Sequence, residues 1–354
     1  MTSVPDRSPG NHRRLLGACL STGLALLVLG VGASACRGSR PSADPADRTL
    51  RIAFVPKGTN MTFWLTIHAG AIKAQRDLAE RGISVELLWK GPLREDDREQ
   101  QIQVVESFTS QAVDGIVLAP LDAKALVRPV EEAKRLGIPT VIVDSGLDSG
   151  DIVSFVATDN YRGGQMAADE MGRLLDGRGR VVLLRYMEGS ASTTAREEGF
   201  VSRLEEAWPD LQLISADQHA GATRDTAKRA AENILNRFGD EIDGVFVVNE
   251  SSTTGMLLAL QDSNLAGKVK LLGFDSNPAF IDAVRAGEMH GFVLQNPFGM
   301  ATLAVETMVD HLLGKEVPPR VDTGVVVVTA QNIDSPSVQE LLHPPLDVYL
   351  PSGE

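Results

Sequence analysis

Short apolar runs alternate with amphipathic stretches along most of the chain. LRIAFVP, beginning at Leu50, predicts a buried strand, and residues 63–80 predict a helix because Trp64, Ile67 and later apolar residues recur at helical spacing. ISVELLW, beginning at Ile83, predicts the next strand. This alternation of strands and helices is typical of a parallel sheet covered by helices on both faces.

The same order of strands occurs twice. DGIVLAP at Asp114 recurs as DGVFVVN at Asp243, an offset of 129 residues, and Asp144 at the end of TVIVDS recurs as Asp275, an offset of 131. The strands RIAFVP and ISVELL recur as RVVLLR and LQLISA, at offsets of 129 and 128. The repeat predicts two copies of one open α/β domain. Because ligands bind beyond the carboxyl ends of such strands, two facing copies would enclose a cleft with Asp144 and Asp275 on opposite walls.

The N-terminal segment has the pattern of an export signal. Two arginines precede an uncharged apolar stretch, residues 15–36. The sequence Ala33 to Cys36 resembles the lipobox of bacterial lipoproteins, in which the cysteine is acylated and becomes the mature N-terminus, although Ala33 replaces the usual leucine. The alternative is an uncleaved anchor, since about 20 apolar residues can cross a bilayer. Either case predicts a body outside the cytoplasm, in the cell envelope or periplasm. The lipobox predicts in addition that lipid on Cys36 anchors it.

Composition narrows the function classes. Lys plus Arg number 34 and Asp plus Glu 47, a formal charge of −13, which argues against a nucleic acid or an anionic membrane surface as partner. The two cysteines, Cys19 and Cys36, precede the body, so the body holds no disulfide or thiolate metal site. The body shows no phosphate loop, zinc motif or nucleophile motif, and its histidines share no ligand-like spacing. We therefore expect neither an enzyme nor a cofactor or metal.

Seven motifs in the body, between Leu50 and about Ile333, identify a family resemblance: GTNMTFW, IPTVIVDS, FVATDNYRGGQMAA, SASTTAREEGF, DGVFVVNES, LLGFDSNP and GFVLQNPFGMA. In this order they resemble the type I periplasmic binding proteins of the ribose and galactose kind, which are related to lactose-repressor-like regulators. The resemblance implies two similar doubly wound parallel-sheet lobes joined by a three-crossing hinge. An export signal stands where such a regulator would carry its basic DNA-binding helices, so nucleic acid binding is not expected.

The resemblance also implies domain boundaries, with hinge crossings near Thr158, Gln295 and Thr323. Neither lobe is then a continuous segment. The expected division is a signal peptide at 1–35, a lipidated tether at 36–48, an N-terminal lobe at 49–158 plus 296–323, a C-terminal lobe at 159–295 plus 324–340, and a tail at 341–354 without an assigned role.

The family's ligand contacts carry over to matching positions of this chain. Adjacent aromatics stack on the apolar face of a sugar ring, strand-tip aspartates accept hydrogen bonds from hydroxyls, and an arginine donates to them. The implied ligand-binding residues are Lys57, Asn60, Phe63, Trp64, Asp144, Thr158, Arg196, Asn249, Asp275 and Gln295.

Structural alternatives exist for several of these residues. Trp64 also fits the start of the buried stripe of its helix. Thr194 and Glu197 form a capping-box pattern that places Arg196 in a first helical turn, where Glu197 or Glu198 is an alternative partner. Asp275 is followed by an asparagine and a proline, so it also fits a helix N-cap. Asn249 and Gln295 also fit turn or hinge hydrogen bonding.

The chain departs from the ribose-type pattern at two places, and both concern the identity of the ligand. Ala119 stands where the ribose-type subgroup carries an asparagine after the third strand, which indicates a ligand other than simply ribose. Lys57 and Lys90 follow neighbouring strands, which raises the hypothesis of an acidic or phosphorylated ligand; two solvated lysines are the alternative.

The resemblance therefore implies a monomeric, lipid-anchored solute-binding protein that delivers a small sugar or polyol to an ABC permease. It touches the membrane only through its anchor. A ligand-binding sensor that feeds a chemoreceptor or histidine kinase is the alternative.

Overall fold

The computed structural model describes residues 48–350. The expected signal peptide, the lipidation site Cys36, nearly all of the tether and residues 351–354 lie outside this range. The described strands are β1 (Leu50–Val55), β2 (Val85–Trp89), β3 (Gly115–Leu118), β4 (Thr140–Val143), β5 (Ser154–Ala157), β6 (Gly179–Leu184), β7 (Leu211–Ser215), β8 (Gly244–Val247), β9 (Lys270–Phe274), β10 (Gly291–Gln295), β11 (Arg320–Asp322) and β12 (Val325–Val328). The described helices are α1 (Thr62–Glu80), α2 (Arg98–Ser110), α3 (Val127–Arg135), α4 (Asn160–Leu174), α5 (Ala191–Ala207), α6 (Arg224–Phe238), α7 (Glu250–Asp262), α8 (Pro278–Ala286), α9 (Pro297–Leu312), α10 (Pro336–Leu342) and α11 (Leu346–Tyr349).

The strands form two six-stranded sheets with the same order. The first lobe is built on the sheet β2-β1-β3-β4-β5-β11 and the second lobe on the sheet β7-β6-β8-β9-β10-β12. The predicted duplication is confirmed, since each strand of the first sheet has an equivalent at the same place in the second. The sixth strand differs, because β11 runs parallel to β5 whereas β12 runs antiparallel to β10.

Alternate residues of one strand explain why helices cover both faces of each sheet. In β1, Ile52 and Phe54 join the core under α1 and α9, whereas Ala53 and Val55 join the core under α2 and α3. All four side chains are fully buried. A strand that is apolar at every position must lie inside such a layered structure, because successive side chains point to opposite faces.

The repeat extends to individual hydrogen bonds. The carboxylate of Asp114 accepts from the backbone N–H of Arg51 at 2.7 Å, and Asp243 accepts from the N–H of Arg180 at 2.6 Å. Each aspartate precedes the third strand of its sheet and fixes the start of the first. These matching bonds give both copies the same strand register, which brings Asp144 and Asp275 to equivalent strand tips.

Helices α4 and α5 pack closely in the second lobe. A Cβ at Gly164 would lie 2.0 Å from the carbonyl oxygen of Arg196, and a Cβ at Gly199 would lie 2.0 Å from that of Tyr161. Only glycine permits this approach. The contact fixes the position of the backbone that carries Arg196.

The chain passes between the two sheets after β5, β10 and β11. At the first of these crossings the hydroxyl of Thr158 lies 3.4 Å from that of Thr323 and donates to the carbonyl of Gly324 at 3.3 Å. Thr158 is fully buried. These contacts join two crossing strands side by side, as a hinge requires.

The C-terminal segment makes a further connection between the lobes. Val338 and Leu342 of α10 are buried in the core of the second lobe. After a short link, α11 lies on α1 of the first lobe, where Arg76 donates to the carbonyl of Val348 at 2.8 Å and covers the ring of Tyr349. Within the described residues no helix is long and apolar enough to span a membrane.

Candidate ligand-binding site

A cavity lies between the lobes at the carboxyl ends of their strands. About 380 Å³ of space unoccupied by protein atoms lies among its lining residues, part of it open to solvent. Eight of the sequence-predicted residues line it: Lys57, Phe63, Trp64, Asp144, Arg196, Asn249, Asp275 and Gln295.

The structure does not bring the other two predicted residues to this cavity. Asn60 is exposed and lines a separate groove on the outer surface, because it precedes the first turn of α1 on the solvent side. Thr158 is buried at the hinge, where its hydroxyl is engaged by the neighbouring crossing. Neither residue lines the cavity, and their contact with a ligand stays a prediction.

The two adjacent aromatics stand at the start of α1. The rings of Phe63 and Trp64 meet edge to face, with centroids 4.9 Å apart. Trp64 is 2% exposed and belongs to the core of the first lobe, so the structural alternative for it is confirmed, while its contact with a ligand stays a prediction. Phe63 is half-buried. Both residues line the cavity, and Phe63 offers the more accessible ring.

Asp144 and Asp275 follow β4 and β9 in matching backbone conformations, with φ angles of 64° and 68°. Aspartate and asparagine are the non-glycine residues that best tolerate this region. The turn at each strand tip directs a carboxylate into the cavity from each lobe. The repeat in the sequence therefore places a pair of acceptors on opposite walls.

Lys57 is engaged inside the cavity. Its ammonium lies 2.9 Å from the carboxylate of Asp144 and donates to the hydroxyl of Ser192, in the opposite lobe, at 3.1 Å. Lys90 is exposed and lies outside the cavity lining. Of the two lysines, only Lys57 lines the cavity, where it already has a carboxylate partner, and Lys90 fits the alternative of a solvated lysine.

Asp275 is the centre of a buried polar cluster. Its carboxylate accepts from the side chain of Gln295 at 2.6 Å and from the backbone N–H of Glu250 at 3.1 Å, and it lies 3.9 Å from the guanidinium of Arg196. Burial raises the pKa of Asp275, and the charge of Arg196 opposes this shift. Asp275 is not a helix N-cap, since Asn277 caps α8 instead.

The buried amide of Gln295 keeps one atom available. Its Nε2 donates to Asp275, whereas its Oε1 has no hydrogen-bond partner within the described residues. Burying an acceptor without a partner costs about 1–3 kcal/mol. A ligand hydroxyl in the cavity would satisfy it.

Arg196 is held by backbone and amide oxygens. It donates to the side chain of Asn160 at 2.7 Å and to the carbonyl of Val248 at 2.8 Å, and its guanidinium lies 3.7 Å from the centroid of the Phe274 ring. These contacts hold the guanidinium plane rigidly. A fixed fork of donors is suited to hydroxyl recognition.

The capping box expected near Arg196 was wrong. Helix α5 begins at Ala191, so Arg196 lies in its second turn rather than its first. Glu197 does not reach back to cap the helix, because its carboxylate accepts from Arg185 at 2.7 Å and from the backbone N–H of Tyr186. That pairing also removes Glu197 as the alternative partner of Arg196.

Asn249 has a structural role as well as a place in the lining. Its side-chain oxygen accepts from the N–H of Ser252 at 3.3 Å and caps α7. Its amide nitrogen donates to the hydroxyl of Ser251 at 3.1 Å. The turn interpretation of Asn249 is therefore confirmed.

Sequence reasoning missed other lining residues. Glu95, in the loop after β2, accepts hydrogen bonds from the indole of Trp64 and from the hydroxyl of Tyr186, the latter at 2.5 Å. Tyr186 stands 129 residues after Lys57, at the offset of the repeat, so a residue-by-residue comparison of the two copies could have found it. Glu250 follows Asn249 directly. Glu95 lies in an irregular loop and carries no comparable signal.

Comparison with known proteins identifies the family. A model described as the periplasmic binding protein domain matches residues 52–316. The chain belongs to this family. Both the family resemblance and the predicted fold, that of a type I periplasmic binding protein, are confirmed.

Relatives of this periplasmic binding protein are similar over most of their length. The xylitol-binding protein of Mycolicibacterium smegmatis is 27% identical over 321 residues, covering 90% of this chain and 86% of the relative. The D-allose-binding periplasmic protein of Escherichia coli is 30% identical over 278 residues, covering 75% and 86%. A carbohydrate transporter solute-binding protein from Agrobacterium radiobacter, solved in complex with D-arabinose, aligns with a TM-score of 0.78 at 30% identity, covering 84% of this chain and all of that one.

The charges in this periplasmic binding protein's cleft are unbalanced. Glu95, Asp144, Glu250 and Asp275 face the cavity, against two cations, Lys57 and Arg196. Burial raises the pKa of Glu95, and it raises the pKa of Glu250 to about 7. Four carboxyl groups therefore face two cations in the lining, and burial shifts two of these acids toward the protonated form. No group of three or more metal-binding side chains occurs among residues 48–350.

Proposed function

We propose that this protein captures a neutral monosaccharide or polyol between its lobes and presents it to an ABC permease, without catalysing a reaction on it. The observation that carries the proposal is the pair of strand-tip carboxylates on opposite walls, beside a fixed guanidinium and an aromatic ring. Relatives that bind ribose, allose or xylitol support this ligand class.

The cavity chemistry fits polyhydroxy compounds. Each hydroxyl both donates and accepts, and the lining offers the carboxylates of Asp144 and Asp275, the unpartnered oxygen of Gln295 and the guanidinium of Arg196. Phe63 can cover a face of C–H groups. Charged acceptors favour ligands that bring a hydroxyl donor, because an analogue lacking it leaves a buried group unpaired.

Closure of the cleft on a ligand would change the outer surface that a permease contacts. Bonds already join the two lobes around the cavity: the N–H of Phe63 donates to Glu250 at 3.1 Å, and Lys57 donates to Ser192 at 3.1 Å. A ligand that contacts both walls adds to these bonds and shifts the lobes toward the closed arrangement. A permease that recognises the outer surfaces of both lobes could then distinguish loaded from empty protein.

Family membership implies export, and we propose that the body is monomeric and held at the membrane by lipid on Cys36. The apolar segment and the small residues before this cysteine support the anchor. Incorporation of radiolabelled fatty acid into the wild type, and its loss in Cys36→Ser, tests this point. Equal labelling of both proteins would contradict it.

A thermal-shift screen tests the ligand class. The mature protein is heated with D-ribose, D-allose, D-arabinose and xylitol, and in parallel with sugar acids and sugar phosphates, since a ligand of the folded state raises the midpoint. We expect a shift with at least one neutral compound and none with the anionic analogues. The control is Asp334→Asn, at an exposed position outside the cavity lining, which should bind as the wild type does. Shifts confined to anionic compounds would overturn the proposal.

A further inference from the structure

Glu95 stands between the ligand cavity and a groove on the outer surface. Together with Met61 it lines both spaces. The groove continues between the lobes, with Arg94 on one side and Thr223 and Arg224 on the other. Glu95 and Met61 therefore lie between the cavity and solvent-facing polar surface.

The carboxylate of Glu95 is held from both lobes. Trp64 of the first lobe and Tyr186 of the second donate to its two oxygens. Burial and the neighbouring carboxylate raise the pKa of the Tyr186 hydroxyl well above its usual value, so the hydroxyl remains a donor at neutral pH. The barrier that Glu95 forms between the cavity and the groove is called the partition below. Because the two donors lie on different lobes, this partition is complete only when the cleft is closed.

The methylene groups of Glu95 are closely packed, as its carboxylate is. A Cβ at Gly58 would lie 3.0 Å from the Cγ of Glu95, so the loop after β1 leaves just enough room for the side chain. The charge of Lys57 stabilises the carboxylate from the cavity side. With its stem and both oxygens fixed, Glu95 cannot swing aside without breaking several contacts.

We propose that Glu95 is a specificity-determining residue that closes the cavity on the side of the groove and so excludes ligands substituted at the hydroxyl facing it. The inference rests on the proposed function, whose ligand class it narrows to unsubstituted monosaccharides and polyols. A larger ligand would have to pass through the position of the carboxylate to reach the groove. Removing the side chain would open the cavity toward the groove beside Met61.

A methyl scan tests this partition. Isothermal titration measures binding of D-ribose, D-allose and D-arabinose, and then of each mono-O-methyl ether of whichever sugar binds. In the wild type we expect each ether at a buried hydroxyl to lose about 100-fold in affinity, as a methyl group that a packed site cannot accommodate does. In Glu95→Ala we expect the loss at one position to shrink at least tenfold, with the losses at the other positions unchanged.

Two variants separate the partition from general damage. Glu95→Gln fills the same volume, so each methyl group should cost this variant as much affinity as it costs the wild type, even though the affinity for the free sugar changes. Asp96→Ala removes the adjacent carboxylate, which pairs with Arg94 outside the cavity, and should resemble the wild type. Rescue at a single methyl position is a result that a loss of folding cannot imitate.

The outcomes distinguish this inference from the proposed function. Absence of binding to any neutral sugar would contradict the proposed function itself. Binding of a free sugar and all of its ethers with similar affinity by the wild type would overturn the role of Glu95, whatever the variants do. A wild-type penalty that Glu95→Ala leaves intact at every position would overturn it as well. If Glu95→Ala does not fold, Glu95→Ser is measured in its place.

Discussion

Glu250 is a buried acid whose ionisation opposes folding. It is 3% exposed, and its carboxylate accepts from the N–H of Phe63 at 3.1 Å and lies 3.4 Å from the guanidinium of Arg224. Burial raises its pKa from 4.5 to about 7, and the carboxylate of Asp275 adds to the rise. We predict that Glu250→Gln removes a pH-dependent loss of stability from the protein.

The sign and size follow from linkage. Because the pKa of Glu250 is higher in the folded than in the unfolded state, the folded state binds more protons between these two values, and stability falls as the pH rises through them. A pKa difference of one is equivalent to about 1.4 kcal/mol, so the rise from 4.5 to about 7 costs the ionised protein about 3 kcal/mol of stability. Glutamine resembles the protonated acid and does not ionise. The free energy of unfolding of the variant, relative to that of the wild type, should therefore rise by about 3 kcal/mol as the pH is raised through the window between the two pKa values.

Urea unfolding without ligand, at a series of pH values that spans this window, measures the difference. Other titrating groups, such as His290, whose pKa burial lowers to about 4, are present in both proteins and cancel in the comparison. Glu106→Gln, at an exposed position of α2, is the matched control and should follow the wild type at every pH. If the free energies of unfolding of wild type and Glu250→Gln, plotted against pH, stay parallel across the range, the reasoning is refuted.

Three further predictions address stacking, packing and the C-terminal segment. Phe63→Ala should weaken sugar binding about tenfold in calorimetric titrations, because it removes the accessible aromatic face; unchanged affinity would show that the ring does not touch the ligand. Gly164→Ala should lower stability by about 1–3 kcal/mol in urea unfolding, since its Cβ would meet the carbonyl of Arg196 at 2.0 Å; an unaltered midpoint would contradict the close approach. Truncation after Leu342 removes α11 and its contacts with α1, and should lower sugar affinity severalfold with the circular dichroism spectrum retained; full affinity would show that this link does not favour closure.

The features that the sequence predicted best are those that occur twice. The offsets around Asp114 and Asp243 predicted two sheets of one strand order, and the structure repeats even the hydrogen bond that each aspartate makes. Asp144 and Asp275 were placed at the tips of equivalent strands for the same reason. A buried strand and the turn that follows it are specified locally, so a repeated pattern in sequence becomes a repeated geometry.

Features that depend on distant partners were not predicted. The pattern of Thr194 and Glu197 satisfied the capping-box rule, but Glu197 bonds Arg185 and Tyr186 from another segment, and α5 begins at Ala191. Glu95 has its role only because Trp64 and Tyr186 converge on it from different lobes. No local rule of capping or periodicity contains such convergence.

The tail shows the same limit. Its sequence led to no assigned role and does not reveal that the residues after Leu342 lie on α1 of the other lobe. That contact depends on Arg76, which donates to Val348 across a separation of 272 residues. The packing partner, rather than helical propensity, determines where a helix as short as α11 lies.

The central claim is that one sugar is held between two carboxylates, one from each lobe. Calorimetric titration of the sugar found in the screen into wild type, Asp144→Asn and Asp275→Asn tests it most directly, because asparagine tolerates the same backbone conformation and removes only the charge. We predict one site per chain in the wild type and at least a tenfold loss of affinity in each variant, as expected for a charged hydrogen bond worth about 1.5–3 kcal/mol. Wild-type affinity in either variant would contradict it.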